Sequence, residues 1–184
     1  IDCCDANFGI YQDRDMRIAK KMNEVSKEMG YPKTFHPTFA KVSSEKIIPI
    51  AKELYDSGLL RAVTLSLQSL DPATLKIIKR ANIKFDKFSE LTESFRNAGL
   101  PTYTEIIRGL PGETLENFKK GLEVIVSDTK VDHLLIHNCG VFPNAPMAEP
   151  TYVEQHKIKT IRSPIFLWHS DVTNRGIPEY EEIA

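Results

Sequence analysis

Cysteine is scarce in this chain of 184 residues: three in all, two of them adjacent at Cys3 and Cys4. Such a set is a poor disulfide framework and fits a reducing compartment, so a cytoplasmic location is expected. An excess of charge of one sign is missing as well. The 24 basic residues stand against 25 acidic ones, a formal net charge of −1. A nucleic-acid binder normally shows a basic excess or stripe, so no nucleic-acid partner is expected. No apolar run approaches the roughly 18 residues that suggest a membrane span. The opening Ile1-Asp2-Cys3-Cys4-Asp5 has neither the basic nor the apolar region of a signal peptide. It also has no initiator methionine, which leads to the expectation that the chain begins partway through a longer polypeptide. Repeats, low-complexity tracts and linkers are absent too. What is present, 41% hydrophobic and 27% charged residues, describes a globular domain with room for a core.

Helix and strand signals alternate along it. Ile1 to Asp5 reads as a strand breaking at Asn7-Phe8-Gly9, and Ile18, Met22, Val25 and Met29 form one stripe of a helix from about Asp13 to Met29. Thr34 to Ala40 reads as extended. Ser43 and Ser44 are candidate caps for a helix carrying Ile47, Ile50, Ala51 and Leu54, with Pro49 disturbing its first turns. Ala62 to Leu67 is the clearest strand, and Asp71-Pro72 is a cap followed by a proline at the first helical position. A helix with Phe85, Phe88, Leu91 and Phe95 follows. Thr102 to Arg108 is the next strand. Thr114 caps a helix with Leu115, Phe118, Leu122 and Ile125 on one side, and Asp132 to His137 is a further strand. An irregular stretch runs to Pro150, and a last possible strand covers Ile165 to Trp168. Strands separated by helices imply parallel pairing with right-handed crossovers, so a β/α barrel, or part of one, is expected ahead of an open doubly wound sheet.

Strand alternation places Thr64, Ser66 and Gln68 on one face and Val63, Leu65 and Leu67 on the other. Thr34, His36 and Thr38 likewise oppose Phe35, Pro37 and Phe39. A parallel sheet covered on both sides should read as nearly continuous apolar runs. These polar rows point either to a barrel interior holding a polar ligand near the carboxyl ends of the strands or to an edge strand with a wet face.

Asp5-Ala6-Asn7-Phe8-Gly9, Ser66-Leu67-Gln68-Ser69-Leu70-Asp71, Ile78-Lys79-Arg80 and Ile107-Arg108-Gly109-Leu110-Pro111-Gly112-Glu113-Thr114 occur in that order, at or just beyond strand ends. Together they resemble the radical S-adenosylmethionine (SAM) superfamily, closest in look to the branch with a cobalamin-binding domain. The similarity covers about Ile1 to Pro150, with modest support from Val141 to Met147. It implies an α/β fold: a partial (β/α) barrel of radical SAM type with parallel strands, lacking its first β/α unit. Residues 1–150 would be that core from the second strand on, and residues 151–184 a C-terminal extension or the start of an appended region. The superfamily reduces SAM with a 4Fe–4S cluster on a CxxxCxxC loop after the first strand. A 5′-deoxyadenosyl radical then abstracts a hydrogen, or SAM serves methyl transfer through cobalamin. No CxxxCxxC occurs here, so the cluster ligands are expected upstream of Ile1 and this stretch alone is expected to be inactive.

The resemblance also implies site residues. Asp5, Asn7, Phe8 and Gly9 would supply acceptors for the ammonium of SAM, or else form a simple turn. Ser66, Gln68 and Ser69 would meet the ribose hydroxyls. Glu105 and Arg108 are further candidates, or else belong to a structural ion pair or a solvated surface. Gly109 and Gly112 would let backbone approach the nucleoside. His137 and Asn138 end the last clear strand, where SAM contacts are common in the superfamily, although a strand histidine is also often simply packed. Glu113 would cap the following helix. Cys3 and Cys4 point to opposite faces and are read as core, and Cys139 as a buried, inert thiol. The complete protein is expected to take a small-molecule substrate and an electron donor, with SAM, a 4Fe–4S cluster and possible cobalamin as cofactors. Two other readings stay open. One is a non-catalytic β/α module binding a nucleoside or sugar, the other an ordinary β/α-barrel lyase or isomerase using His and Glu.

Overall fold

A computed structural model describes residues 1–39, 45–164 and 180–183. The expected candidates at Ala40, Ser43, Ser44 and Ile165–Trp168 lie outside the described residues. Strand β1 (Asp2–Phe8) is followed by α1 (Gln12–Met29) and β2 (His36–Phe39). A 3-10 turn (Glu45–Ile47) leads into α2 (Ile48–Asp56), with Pro49 tolerated in its first turn. Then come β3 (Val63–Thr64), α3 (Pro72–Ile77), α4 (Phe85–Asn97), β4 (Thr102–Arg108), α5 (Leu115–Asp128) and β5 (His133–Asn138). A second 3-10 turn (Pro146–Ala148), α6 (Pro150–His156) and the strands β6 (Ile161–Pro164) and β7 (Tyr180–Ile183) complete the described chain.

β1 and β2 pair in parallel, as do β3 and β4, and β5 follows β4 in the order β3-β4-β5. β6 and β7 pair antiparallel. By their contacts the residues fall into two compact units. One holds Ile1–Gln68, Asn82–Ile106 and Lys120–Leu135, and the other Ser69–Ala81, Ile107–Lys119 and Ile136–Ala184.

In the first unit the core is aromatic around β1 and β2. Phe8 is 1% exposed and meets Phe35 and Phe39 edge to face, with centroids 5.7 and 6.0 Å away. Ile50, Ala51 and Leu54 of α2 and Phe88, Leu91 and Phe95 of α4 are buried, as their spacing predicts. α1 departs from its expected stripe: Ile18 and Met29 are exposed, and the buried positions are Asp15 and Ala19. Two polar bonds of the same helix, Asn23 Nδ2 to Glu53 Oε1 (2.7 Å) and Ser26 Oγ to the Pro32 carbonyl (2.7 Å), follow that rotated face.

The segment expected as the clearest strand is regular only at Val63–Thr64. Beyond it Leu65 N–H still donates to the Tyr103 carbonyl and Gln68 N–H to that of Glu105. Gln68, however, has left extended geometry, with φ at +63°. The alternation survives the irregularity, with Val63, Leu65 and Leu67 buried and Thr64, Ser66 and Gln68 half-buried. β4 is held at its start by a reciprocal lock: Thr102 N–H donates to Asp132 Oδ2 (2.8 Å), and Asp132 N–H to the Thr102 carbonyl (3.0 Å).

In the second unit Asp71 caps α3, accepting from the N–H groups of Ala73 and Thr74 and from Thr74 Oγ1. Thr114 Oγ1 takes the Asn117 N–H. Leu115 is 69% exposed, so it falls outside the packed side of α5 expected for it. The stretch to Pro150, expected to be irregular, contains a 3-10 turn and gives way to α6, which sequence reading missed.

Candidate functional site

At the carboxyl end of β1 the Asp5–Gly9 segment is tied back onto the first turn of α1. Asp5 Oδ1 accepts the Asn7 N–H (2.9 Å), an Asx turn of the kind the sequence suggests. Gly9, at φ +95°, donates its N–H to Asp15 Oδ2 (2.7 Å), a carboxylate with no solvent exposure. Arg14 spans both acids: Nη2 reaches Asp5 Oδ2 (2.7 Å) and Nε reaches Asp15 Oδ1 (2.6 Å). The Asn7 N–H, followed by Arg14, holds the Asp5 carboxyl below its ordinary range against some desolvation. Asn7 is exposed. Phe8 is spent on the core, so the part expected of it at a ligand falls to its backbone alone.

Beyond β3, in the β3-β4-β5 sheet, Ser66 Oγ donates to Glu105 Oε2 at 2.7 Å. Both side chains are half-buried on the polar row, and Gln68 continues it one step on. Gln68 carries a left-handed backbone without being glycine, a strain of order 1 kcal/mol or more that tends to gather at binding sites. An ionised carboxylate is an acceptor only and suits the two O–H donors of a vicinal diol, while Ser and Gln add donors and acceptors beside it.

The remaining candidates lie in the second unit. Ser69 is 4% exposed and donates to Glu113 Oε1 at 2.5 Å, while its own oxygen accepts the Asp71 N–H. Glu113, expected to cap a helix, is thus a half-buried partner of Ser69, and its Oε2 is buried without a hydrogen bond. Burial pushes its carboxyl above the ordinary range; the Ser69 bond opposes that rise and Asp71 adds to it. Arg108, for which a carboxylate partner was one expectation, donates from Nε to Asn138 Oδ1 (2.5 Å) instead. Gly109 is exposed with φ +83°, and His137 is exposed on β5.

Cys139 is 3% exposed, its thiol pushed up by burial and turned to Met147 Sδ at 3.6 Å. Cys4 is exposed and Cys3 half-buried, which corrects the expectation that both are core. Among the described residues no three His, Cys, Asp or Glu side chains gather to hold a metal. The described residues therefore offer no ligand set for an iron–sulfur cluster. The Ser66–Glu105 pair with Gln68 sets hydrogen-bond donors and acceptors side by side, a chemistry that would suit a vicinal diol.

Sequence reading missed two features of the first unit. Arg14 and Asp15 were visible only as charges in a helical first turn. A cavity of about 480 Å³ is lined by His36, Arg61, Thr64, Tyr103, His133 and Leu135, toward the amino-terminal ends of the strands. Burial raises the Tyr103 phenol there. The strand histidines sort accordingly, with His36 also paired to Asp2 at 3.1 Å.

Parallel strands joined by helices, with polar groups toward their carboxyl ends, define an α/β protein of partial β/α-barrel type. Residues 13–125 match the family described as the Radical SAM superfamily, and the chain belongs to that superfamily. It is 36% identical over 178 residues to the cobalamin-dependent radical SAM methyltransferase TokK of Streptomyces tokunonensis, and 32% identical to the 2-(S-pantetheinyl)-carbapenam-3-carboxylate methyltransferase of Streptantibioticus cattleyicolor. Each alignment covers 97% of this chain and 25% of the relative, so the chain spans about a quarter of the length of these curated relatives. The fold is that of the radical SAM methyltransferase TsrM from Kitasatospora setae. Its structure with cobalamin and a [4Fe-4S] cluster matches 84% of this chain and 28% of its own at a TM-score of 0.55 and 17% identity. The form with tryptophan substrate and the analogue aza-SAM matches 80% of this chain and 28% of its own, with a TM-score of 0.56 and 16% identity.

Proposed function

We propose that this chain is the SAM-binding core of a radical SAM methyltransferase that, as a complete protein, also uses a 4Fe–4S cluster and cobalamin and acts on a small-molecule substrate with an external electron donor. The observation that carries the reading is the Ser66–Glu105 pair, a hydroxyl bonded to a carboxylate on the polar row of two parallel strands. Glu105 would accept from the ribose diol, with Ser66 holding the carboxylate in place and Gln68 beside it. Asp5, Asn7 and the backbone through Gly9 would receive the amino-acid end. In the second unit, taken by itself, Ser69, Arg108, Gly109, His137 and Asn138 are proposed as cofactor-binding residues. SAM, when bound, supplies the transferable methyl group and radical chemistry, while the protein supplies orientation and excludes competing reactions. No residue of this chain is assigned to the cluster or to cobalamin. A methyltransferase role is supported by the two relatives, both methyltransferases. A cytoplasmic setting accords with the free cysteines and, among the described residues, with no helix long and apolar enough to cross a membrane.

The test is SAM binding by the complete, anaerobically prepared protein and its Glu105→Gln and Ser66→Ala variants. Removing a charge-assisted hydrogen bond to the diol should weaken SAM about 10- to 100-fold in Glu105→Gln. Ser66→Ala should lose less. Unchanged SAM affinity in Glu105→Gln would remove this reading of the pair.

A further inference from the structure

Asp5 and Gly9 bracket the carboxyl end of β1, and each is fastened to one of two adjacent residues, Asp5 to Arg14 and Gly9 to Asp15. Asp15 has no solvent exposure, so its charge needs partners in place; it has the Gly9 N–H on one oxygen and Arg14 Nε on the other. Arg14 carries the connection outward to Asp5, whose second oxygen takes the Asn7 N–H. The guanidinium also lies over the Tyr11 ring, 4.8 Å from its centroid, which fixes it from a third direction. An arginine with a planar fork can join two carboxylates in this way, whereas a lysine offers one point charge. Ala19 is the other fully buried residue of α1, and Met16, Met22 and Val25 are half-buried along the helix.

We propose that Arg14 and Asp15 are positioning residues that hold the Asp5–Gly9 loop in the shape that receives the amino-acid end of SAM. The proposal rests on the reading given above, in which that loop faces the amino-acid end and Ser66–Glu105 the ribose. Neither Arg14 nor Asp15 need touch SAM; they act through Asp5, Asn7 and Gly9. A clasp of this kind sets affinity for the part of the ligand that the loop meets and leaves the nucleoside end alone. Supporting contacts one step removed from a bound group commonly change its affinity by about 10- to 100-fold.

The experiment uses the complete, cluster-loaded enzyme and two ligands, SAM and 5′-deoxyadenosine, which lacks the amino-acid end. Affinities are measured by equilibrium dialysis for wild type, Arg14→Gln, Arg14→Lys and Ser66→Ala. Arg14→Gln is expected to weaken SAM about tenfold and to leave 5′-deoxyadenosine unchanged. Arg14→Lys, keeping the charge but not the fork, should recover part of the loss. Equal weakening of both ligands in Arg14→Gln, or of neither, overturns the proposal. Should Arg14→Gln not fold, Arg14→Lys is read alone: selective loss of SAM supports the clasp, and parallel loss or none overturns it. The underlying reading fails separately, when wild type binds neither ligand or when Ser66→Ala leaves 5′-deoxyadenosine untouched.

Discussion

Replacing Gly9 by alanine separates two costs that the structure superimposes at one atom. The first is backbone: φ is +95°, where a residue with a Cβ is strained by about 1–2 kcal/mol. The second is steric, because a Cβ at Gly9 would sit 2.7 Å from Ile47 Cγ2, with Ile47 Cβ 3.5 Å away. That methyl is on a β-branched carbon in a buried side chain, so rotation offers little escape, and overpacking of this kind costs about 1–3 kcal/mol. Together they predict a loss of about 2–5 kcal/mol, a large share of the roughly 5–15 kcal/mol that holds a domain folded. Ile47→Ala removes the offending methyl and costs about 2–5 kcal/mol by itself. In the double variant only the backbone part of the Gly9 cost should remain, so the two losses should fall short of their sum by about 1–3 kcal/mol. Urea unfolding midpoints of the four proteins measure this. Additive losses, within about 0.5 kcal/mol, would refute the steric half of the reasoning. A Gly9→Ala loss below about 1 kcal/mol would refute the backbone half.

Gly112 offers a contrast: its φ is +83°, but the atom facing a new Cβ is the Cδ1 tip of Ile77, which can swing away. Gly112→Ala should therefore cost about 1–2 kcal/mol in the same assay, and Ile77→Ala should show no comparable coupling. Asp71→Ala removes the acceptor for two helix N–H groups and the Thr74 hydroxyl, and should lower stability by about 1–2 kcal/mol. Glu113 has its carboxyl raised by burial, so the folded state keeps a proton that the unfolded state has released. Stability should then fall as pH rises from the ordinary carboxyl value through the raised one, and level off above it. Glu113→Gln should flatten that decline in unfolding measured across pH, and an unaltered slope would assign it to another group. In the complete protein Cys3→Ser, Cys4→Ser and Cys139→Ala should each leave iron content at the wild-type level, and a proportionate loss in any of them would make that cysteine a cluster ligand.

The elements most legible in the sequence are those whose signal is local. Asp71-Pro72 caps a helix because a short carboxylate and a pre-set φ act within one turn. Thr102–Arg108 is a strand at its expected bounds, because alternation and the loop after it agree. Three misreadings have a shared origin in tertiary structure. The stripe through Ile18 and Met29 is a valid helical period, yet α1 turns Asp15 inward because the β1 loop supplies partners for its charge. Ala62 to Leu67 alternates as a strand should, but its ladder with β4 is interrupted where Gln68 takes a left-handed backbone. α6 lacks a side-chain cap at Glu149 and has no buried residue, which left Pro150 at its first position as a start signal without an apolar stripe behind it. The candidate site shows the same division. Ser66 and Glu105 are readable as polar residues facing alike, while their bond at 2.7 Å depends on a register between segments 39 residues apart.

That register also explains why the polar row changes character along its length. Thr64 stands opposite Tyr103 in the β3–β4 pairing, and the Thr64 hydroxyl opposes the burial-driven rise of the Tyr103 phenol. Two residues further along each segment the partners are Ser66 and Glu105. The lower rung is neutral and lines a cavity about 480 Å³ in volume. The upper one carries a carboxylate, and beyond it Gln68 leaves strand geometry. A half-buried carboxylate is costly unless donors meet it, and a serine hydroxyl supplies one donor to a group with about four acceptor positions. Glu105 has a further interaction within the chain besides the Ser66 bond. The proposed function places a hydroxyl-rich ligand at the upper rung rather than in the cavity beneath it. A ligand that bound in the lower cavity would instead depend on Tyr103 and be indifferent to Glu105→Gln. Comparing Tyr103→Phe with Glu105→Gln for 5′-deoxyadenosine affinity decides between the two rungs, with loss expected only in the second.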